Sequence, residues 1–365
     1  MSNVYTNPLG TDGFEFVEFG APDKAGAESL KPLFETLGFT AIARHKRKAI
    51  TLYRQGDINF LVNENVPSYF HKFSMDHGPC ACAMAFRVKD AQKAFEYAVS
   101  QGAKPFDKGD VQGEEVRIPA VYGIGDSVLY FVDKYGEDSI YDIDFEYFPG
   151  VDKHPKGLGL TTLDHLTHNV FRGNMDTWAG FYERIGNFRE IRYFDIEGKL
   201  TGLHSRAMTS PCCKIRIPIN ESADDKSQIE EYLQEYKGEG IQHIALSTED
   251  IYKTVRDMRE AGVVFMDTPD TYYEKIDTRV PGHDENIDNL KDLRILIDGA
   301  PHDNDGLLLQ IFTSTVIGPI FFEIIQRKGN EGFGEGNFQA LFESIEEDQI
   351  RRGLLSPNAG EKEHA

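Results

Sequence analysis

The stretch LDHLTHNVFRG, Leu163 to Gly173, carries two histidines three residues apart. Imidazole is the commonest metal ligand, but ligand pairs on a helix usually stand four apart on one face. Here Leu163, His165, Thr167 and Asn169 alternate with Asp164, Leu166, His168 and Val170, which is the period of a strand. A strand turns His165 and His168 to opposite faces, so at most one of them enters a given site. Another histidine, His243, lies in GIQHIAL, and GPIFFEIIQRKG (Gly318 to Gly329) sets one carboxylate, Glu323, inside an apolar strand. Period two puts Phe321, Glu323 and Ile325 on one face. An ionised carboxylate is costly to bury there unless it is paired or bound to metal, and no basic residue follows until Arg327. Two histidines and one carboxylate on separate strands make a facial triad. That set suits Fe(II) and leaves coordination positions open.

The elements that must position these residues are repeated. CACAMAFRVKDAQKAFEYAVSQGAKPF (Cys80 to Phe106) matches GIQHIALSTEDIYKTVRDMREAGVVFM (Gly240 to Met266) at an offset of 160. Asp90 meets Asp250, Lys93 meets Lys253 and Gly102 meets Gly262. Each copy reads as a strand, an Asp at a helix start, and an amphipathic helix closed by Gly. FETLGF (Phe34 to Phe39) resembles YERIGNF (Tyr182 to Phe188) at offset 148, and LVNE (Leu61 to Glu64) resembles PINE (Pro218 to Glu221) at offset 157. Each half therefore reads as two βαβββ modules, an α+β architecture that curls into an open barrel around a cavity. The expected divisions are a first domain over residues 1–150, a second over 151–355 and a disordered tail over 356–365. Phe145 to Leu160 is expected as the linker.

The duplication supplies an internal control. Opposite His243 the first half has Ala83, and by the offset of 148 it has Val17 opposite His165. The strand phase then assigns His165 to the metal and His168 to the outer face or to packing. One metal per chain is expected, in the second half, with the first half structural.

Composition removes several classes. The net charge of −21 over 365 residues argues against nucleic acid and against an anionic membrane surface. The N-terminus shows no signal-peptide pattern and no apolar run approaches membrane-spanning length. The cysteines Cys80, Cys82, Cys212 and Cys213 have neither zinc-site nor disulfide spacing, so a reduced cytoplasmic protein is expected.

Taken in order, DHLTHNV, GIQHIAL, LLLQIFT, FFEIIQR and GFGEGNF resemble the 4-hydroxyphenylpyruvate dioxygenase family, of the vicinal oxygen chelate fold. The resemblance runs over essentially the whole chain and is tightest from Leu158 to Ile350. It implies Fe(II) held by His165, His243 and Glu323, with 4-hydroxyphenylpyruvate and O2 converted to homogentisate and CO2. Matching positions imply catalytic roles for Gln242, Gln310 and Asn337. They imply substrate contacts for Ser205, Asn220, Gln228, Phe312, Phe321, Phe333 and Phe338. Gln242 adjoins His243 and faces the metal only if its strand twists or bulges. The segment from Gly332 to Arg352 is expected as a lid helix, hinged at Gly332, Gly334 and Gly336 and carrying Phe338, Leu341, Phe342 and Ile345 on one face. A homo-oligomer, dimer or tetramer, is expected.

The same triad serves two other enzyme readings, a 4-hydroxymandelate synthase and an extradiol catechol dioxygenase. Pro218 and Asn337 resemble the ring-hydroxylating branch, and the aromatic, glutamine-lined pocket disfavours the second alternative. A non-catalytic binding protein of this fold is the alternative from another class. The intact triad argues against it.

Overall fold

The computed structural model describes residues 6–108, 115–197, 202–225, 227–303, 305–341 and 351. The expected tail over 356–365, and Phe342 and Ile345 of the expected lid, lie outside these residues. The first half contributes β1 (Thr11–Gly20), β2 (Thr40–His45), β3 (Ile50–Gln55), β4 (Ile58–Asn63), β5 (Cys80–Val88), β6 (Ala120–Tyr122), β7 (Val128–Val132) and β8 (Phe145–Tyr147). The second contributes β9 (Leu160–Val170), β10 (Arg189–Glu197), β11 (Gly202–Thr209), β12 (Arg216–Ser222), β13 (Gly240–Thr248), β14 (Leu296–Gly299), β15 (Leu307–Phe312) and β16 (Phe321–Lys328). They form two half-barrel sheets, ordered β6-β7-β5-β1-β4-β3-β2-β8 and β10-β11-β12-β9-β13-β16-β15-β14.

The repeat is visible in the register. In each sheet the first strand of one module lies antiparallel to the first strand of the next, β1 beside β5 and β9 beside β13. The helices that follow β5 and β13 begin as the sequence predicts. Asp90 accepts the backbone N–H of Lys93, and Asp250 that of Lys253. These bonds satisfy N–H groups that the first turn leaves without a helical partner.

Two departures have physical reasons. The first three residues of the expected linker form β8, which pairs with β2, because Phe145 is apolar enough to pack against Tyr141 and His45. The second module of the first half thus sends its last strand to the far edge of its sheet. In the second half, by contrast, β14, β15 and β16 all stay together beside β13. Three short helices between Asp270 and Leu293 precede β14.

A continuous apolar core spans both halves, with Phe60 and Phe322 in ring contact at 5.9 Å. The halves therefore bury part of each other's apolar surface, the dominant favourable term in such packing. Among the described residues no helix is long and apolar enough to cross a membrane.

Candidate metal centre

β9, β13 and β16 lie side by side in the middle of the second sheet, and each carries one member of the expected triad. Ala245 on β13 is the shared register point, paired with His165 on one side and Glu323 on the other. His165 Nε2 stands 3.1 Å from Glu323 Oε2, His243 Nε2 stands 3.4 Å from the same oxygen, and the two Nε2 atoms are 3.3 Å apart. His165 and Glu323 are buried, and His243 is nearly so.

What aims the two imidazoles is a pair of β-bulges. Between Ile241 and His243 the register against β9 slips by one residue, leaving Gln242 as the extra residue on β13. Between Leu163 and His165 the slip is on β9, and the extra residue is Asp164. A bulge releases a side chain from strict alternation. Both released side chains reach the next residue's ring: Asp164 Oδ1 lies 2.8 Å from His165 Nδ1, and Gln242 Oε1 lies 2.9 Å from His243 Nδ1. Each oxygen accepts the Nδ1 proton, which leaves Nε2 as a lone pair directed at the triad's centre. Thr167 Oγ1 lies within hydrogen-bond distance of His243 Nε2, at 2.9 Å.

The electrostatics follow from this crowding. Burial pushes the Glu323 carboxyl up, but His165 and His243 outweigh it and hold Glu323 well below the usual carboxylate range. Burial pulls His165 down, but Glu323 and Asp164 together raise it above the ordinary imidazole value. For His243 burial wins, and its pKa is lowered. Three donor atoms gathered out of water need a cation among them. A proton satisfies one pair, whereas a divalent ion satisfies all three. Ligands bound at about 2.1 Å to a first-row ion lie roughly 3.0 to 3.4 Å apart in octahedral or tetrahedral arrangement, matching the separations seen here. Among the described residues His165, His243 and Glu323 are the group so disposed.

The remaining expected residues are placed as follows. Gln310 donates to Glu323 Oε1 at 3.0 Å and accepts from Asn337 Nδ2 at 2.7 Å. Phe321 stacks on His243 at 4.9 Å, Phe312 meets both edge-on, and Phe333 meets His165 edge-on at 5.3 Å. Ser205 and Asn220 face each other across β11 and β12, and Asn220 pairs with Asn169 on β9. Gln228 is exposed in the first turn of helix Gln228–Tyr236, and Phe338 is 41% exposed in the helical stretch 335–341. His168 is fully buried and shares a hydrogen bond of 2.7 Å with the Tyr182 hydroxyl, so of its two expected placements it takes the packed one.

Several residues escaped sequence reasoning. Asp164 was hidden because period two puts it on the face opposite His165. Arg327 forks onto Asp164 at 2.7 and 2.8 Å. Tyr272 donates to Asn337 Oδ1 at 2.5 Å, and Arg279 donates to that hydroxyl at 2.6 Å. Burial pushes the Tyr272 phenol up to about 12, so it keeps its proton. Tyr272 and Arg279 sit on short inserted helices, where no periodicity marks them.

The internal control needs one correction. Ala85 pairs with Phe16 as Ala245 pairs with His165, so the first-half counterpart of His165 is Phe16, not Val17. Glu35 lies fifteen positions beyond Gly20, whereas Glu183 lies fourteen beyond Asn169, so the helix offset cannot carry the strand's phase. By the same register Ala83 replaces His243 and Tyr130 replaces Glu323. Phe16 packs on Tyr130 at 5.6 Å, filling with rings the place where the second half gathers its triad.

Residues 5–146 match the family described as hydroxyphenylpyruvate dioxygenase, N-terminal, and residues 162–286 match the glyoxalase/bleomycin resistance protein/dioxygenase superfamily. A 4-hydroxyphenylpyruvate dioxygenase of Pseudomonas aeruginosa is 66% identical over 96% of this chain and 97% of its own. Hemolysin VllY of Vibrio vulnificus is likewise 66% identical, over 96% of this chain and 98% of its own. A solved triple mutant of 4-hydroxymandelate synthase from Streptomyces coelicolor is 25% identical, with a TM-score of 0.78, covering 93% of this chain and all of its own. Identity at this level over nearly the full length, joined to matches in both halves, shows that this chain belongs to the 4-hydroxyphenylpyruvate dioxygenase family.

Proposed function

We propose that this chain is an Fe(II)-dependent dioxygenase that converts 4-hydroxyphenylpyruvate and O2 to homogentisate and CO2. The observation that carries the reading is the triad itself, in which hydrogen bonds to Nδ1 of each histidine and to Oε1 of Glu323 turn the two Nε2 atoms and Oε2 toward one another. Iron supplies the activation of O2 and the chelation of the 2-oxoacid, and the residues around it bind, orient and exclude water.

Asp164 and Gln242 hold the Nδ1 protons of the two histidines. Gln310 fixes the second carboxylate oxygen of Glu323, and Asn337 fixes Gln310. That chain makes the C-terminal segment part of the site. Phe312, Phe321, Phe333 and Phe338 are assigned to the walls around the substrate ring, which favour edge and offset contacts. Ser205, Asn220 and Gln228, with Gln242, are assigned to its polar contacts. The first half, with Phe16, Ala83 and Tyr130 in place of ligands, is assigned a structural role and the interface of a homo-oligomer, dimer or tetramer.

The reading is tested by loading metal-free protein anaerobically with Fe(II) or Zn(II) and admitting oxygen with 4-hydroxyphenylpyruvate. Oxygen uptake is expected with Fe(II) alone, one O2 per substrate consumed. Equal uptake with either metal, or none with iron, would contradict it.

A further inference from the structure

The loop that leads into the C-terminal helix hangs from the residue that orients His165. Asp164 is buried, and its carboxylate accepts His165 Nδ1 at 2.8 Å. It also accepts both arms of the Arg327 fork, Nε at 2.8 Å and Nη2 at 2.7 Å. The remaining amino group of Arg327 donates to two carbonyls of the following loop, Asn330 at 3.1 Å and Gly332 at 2.7 Å. Phe333 then lies over the Arg327 guanidinium at 5.5 Å and edge-on to His165 at 5.3 Å. The contacts close a circuit: imidazole, carboxylate, guanidinium, loop, ring, and back to the imidazole. A second tie runs beside it, since Arg216 lies 3.8 Å from Asp164 and pairs with Glu331 of the same loop.

We propose that Arg327 is a positioning residue that couples the 330–334 loop to the metal ligand His165, so that metal binding and closure of the loop favour each other. The proposal rests on the reading of the triad as a metal centre. Its physical basis is the fixed geometry of the guanidinium, whose planar fork cannot serve the carboxylate and the two carbonyls from any other position. Withdrawing the loop strands an amino group in a largely buried place. Relieving that cost by rotation breaks the fork on Asp164, which then holds His165 less firmly. Coupling of this kind is reciprocal: whatever metal does for the loop, the loop does for metal affinity.

The test measures hydrogen exchange of peptides covering residues 330–341 in the full chain, with and without saturating Mn(II), together with Mn(II) affinity. In the unsubstituted protein Mn(II) is expected to slow this exchange about 5-fold or more. Arg327→Lys keeps a positive charge for Asp164, but a single ammonium cannot reproduce the fork and the two carbonyl bonds. It is expected to weaken Mn(II) about 10-fold and to leave exchange over 330–341 insensitive to metal at saturation. Unchanged exchange in β1–β5 shows that the variant is folded. If it is not folded, Asp164→Asn serves instead, since it keeps an acceptor for His165 while giving up the charge, and the same loss of coupling is expected. Mn(II) binding that leaves 330–341 unaffected in the unsubstituted protein, or full slowing retained in the folded variant, would overturn the coupling while the metal centre stands. No Mn(II) binding at all would overturn both.

Discussion

At the scale of single residues, two histidines three apart in one strand have opposite fates. His165 gives its Nε2 to the triad, whereas His168 is sealed against Tyr182. His165→Ala is expected to abolish Fe(II) binding, as measured by metal content after dialysis, and His168→Ala to keep the iron at some cost in stability. Burial pulls the His168 pKa down to about 3 from the ordinary 6.5. Between those values the unfolded chain binds a proton that the folded chain refuses, so stability rises with pH across that window. It is lost as pH falls from about 6.5 toward 3. Urea unfolding at about pH 7 and about pH 5 should therefore show a loss roughly 2 kcal/mol larger for the unsubstituted protein than for His168→Gln. An equal loss in both would show that His168 titrates normally. Gly334 is the other residue with a sharp requirement. Its φ is +78°, and a Cβ there would stand 1.7 Å from Gln310 Oε1. The glycines of this loop were expected as a hinge, but at Gly334 the need is for backbone to touch the amide that holds Glu323. Gly334→Ala should disfavour the closed loop by about 1 to 3 kcal/mol, seen as lower turnover in protein that still binds iron.

At the scale of elements, strands and helices were legible where local chemistry repeats. The offset of 160 aligned β5 with β13 and both capped helices, because a strand, an Asp cap and a closing Gly are each written in adjacent residues. The bulges were not written there. Gln242 and Asp164 become extra residues only through the register of β9 against β13, a pairing between segments some eighty residues apart, so strict period two misplaced Asp164. The same limit moved the counterpart of His165 from Val17 to Phe16. The C-terminal segment is the element whose role is most directly testable. Truncation after Asn330 removes Phe333, Asn337 and Phe338 but none of His165, His243 and Glu323. Iron binding should persist at reduced affinity while oxygen uptake loses its match to product, measured as the ratio of homogentisate to O2. A truncated, iron-loaded protein making homogentisate at the full rate would reduce the segment to a cover for the core.

At the scale of the whole molecule, one apolar core joins a half that gathers the triad to a half that fills the same place with Phe16 and Tyr130. Because Phe60 and Phe322 meet across the halves, the two are expected to unfold together. Phe322→Ala should cost about 3 to 5 kcal/mol and lower a single thermal transition rather than split it. Saturation should occur at one Fe(II) per chain. The central claim, that this triad and this pocket direct oxygen to the ring, is tested most directly by identifying the product. Fe(II)-loaded protein given 4-hydroxyphenylpyruvate and O2 should release homogentisate, one for each CO2, and Glu323→Gln should release none. Release of 4-hydroxymandelate, the outcome its structural neighbour's name suggests, or stoichiometric iron with no turnover, would contradict the account.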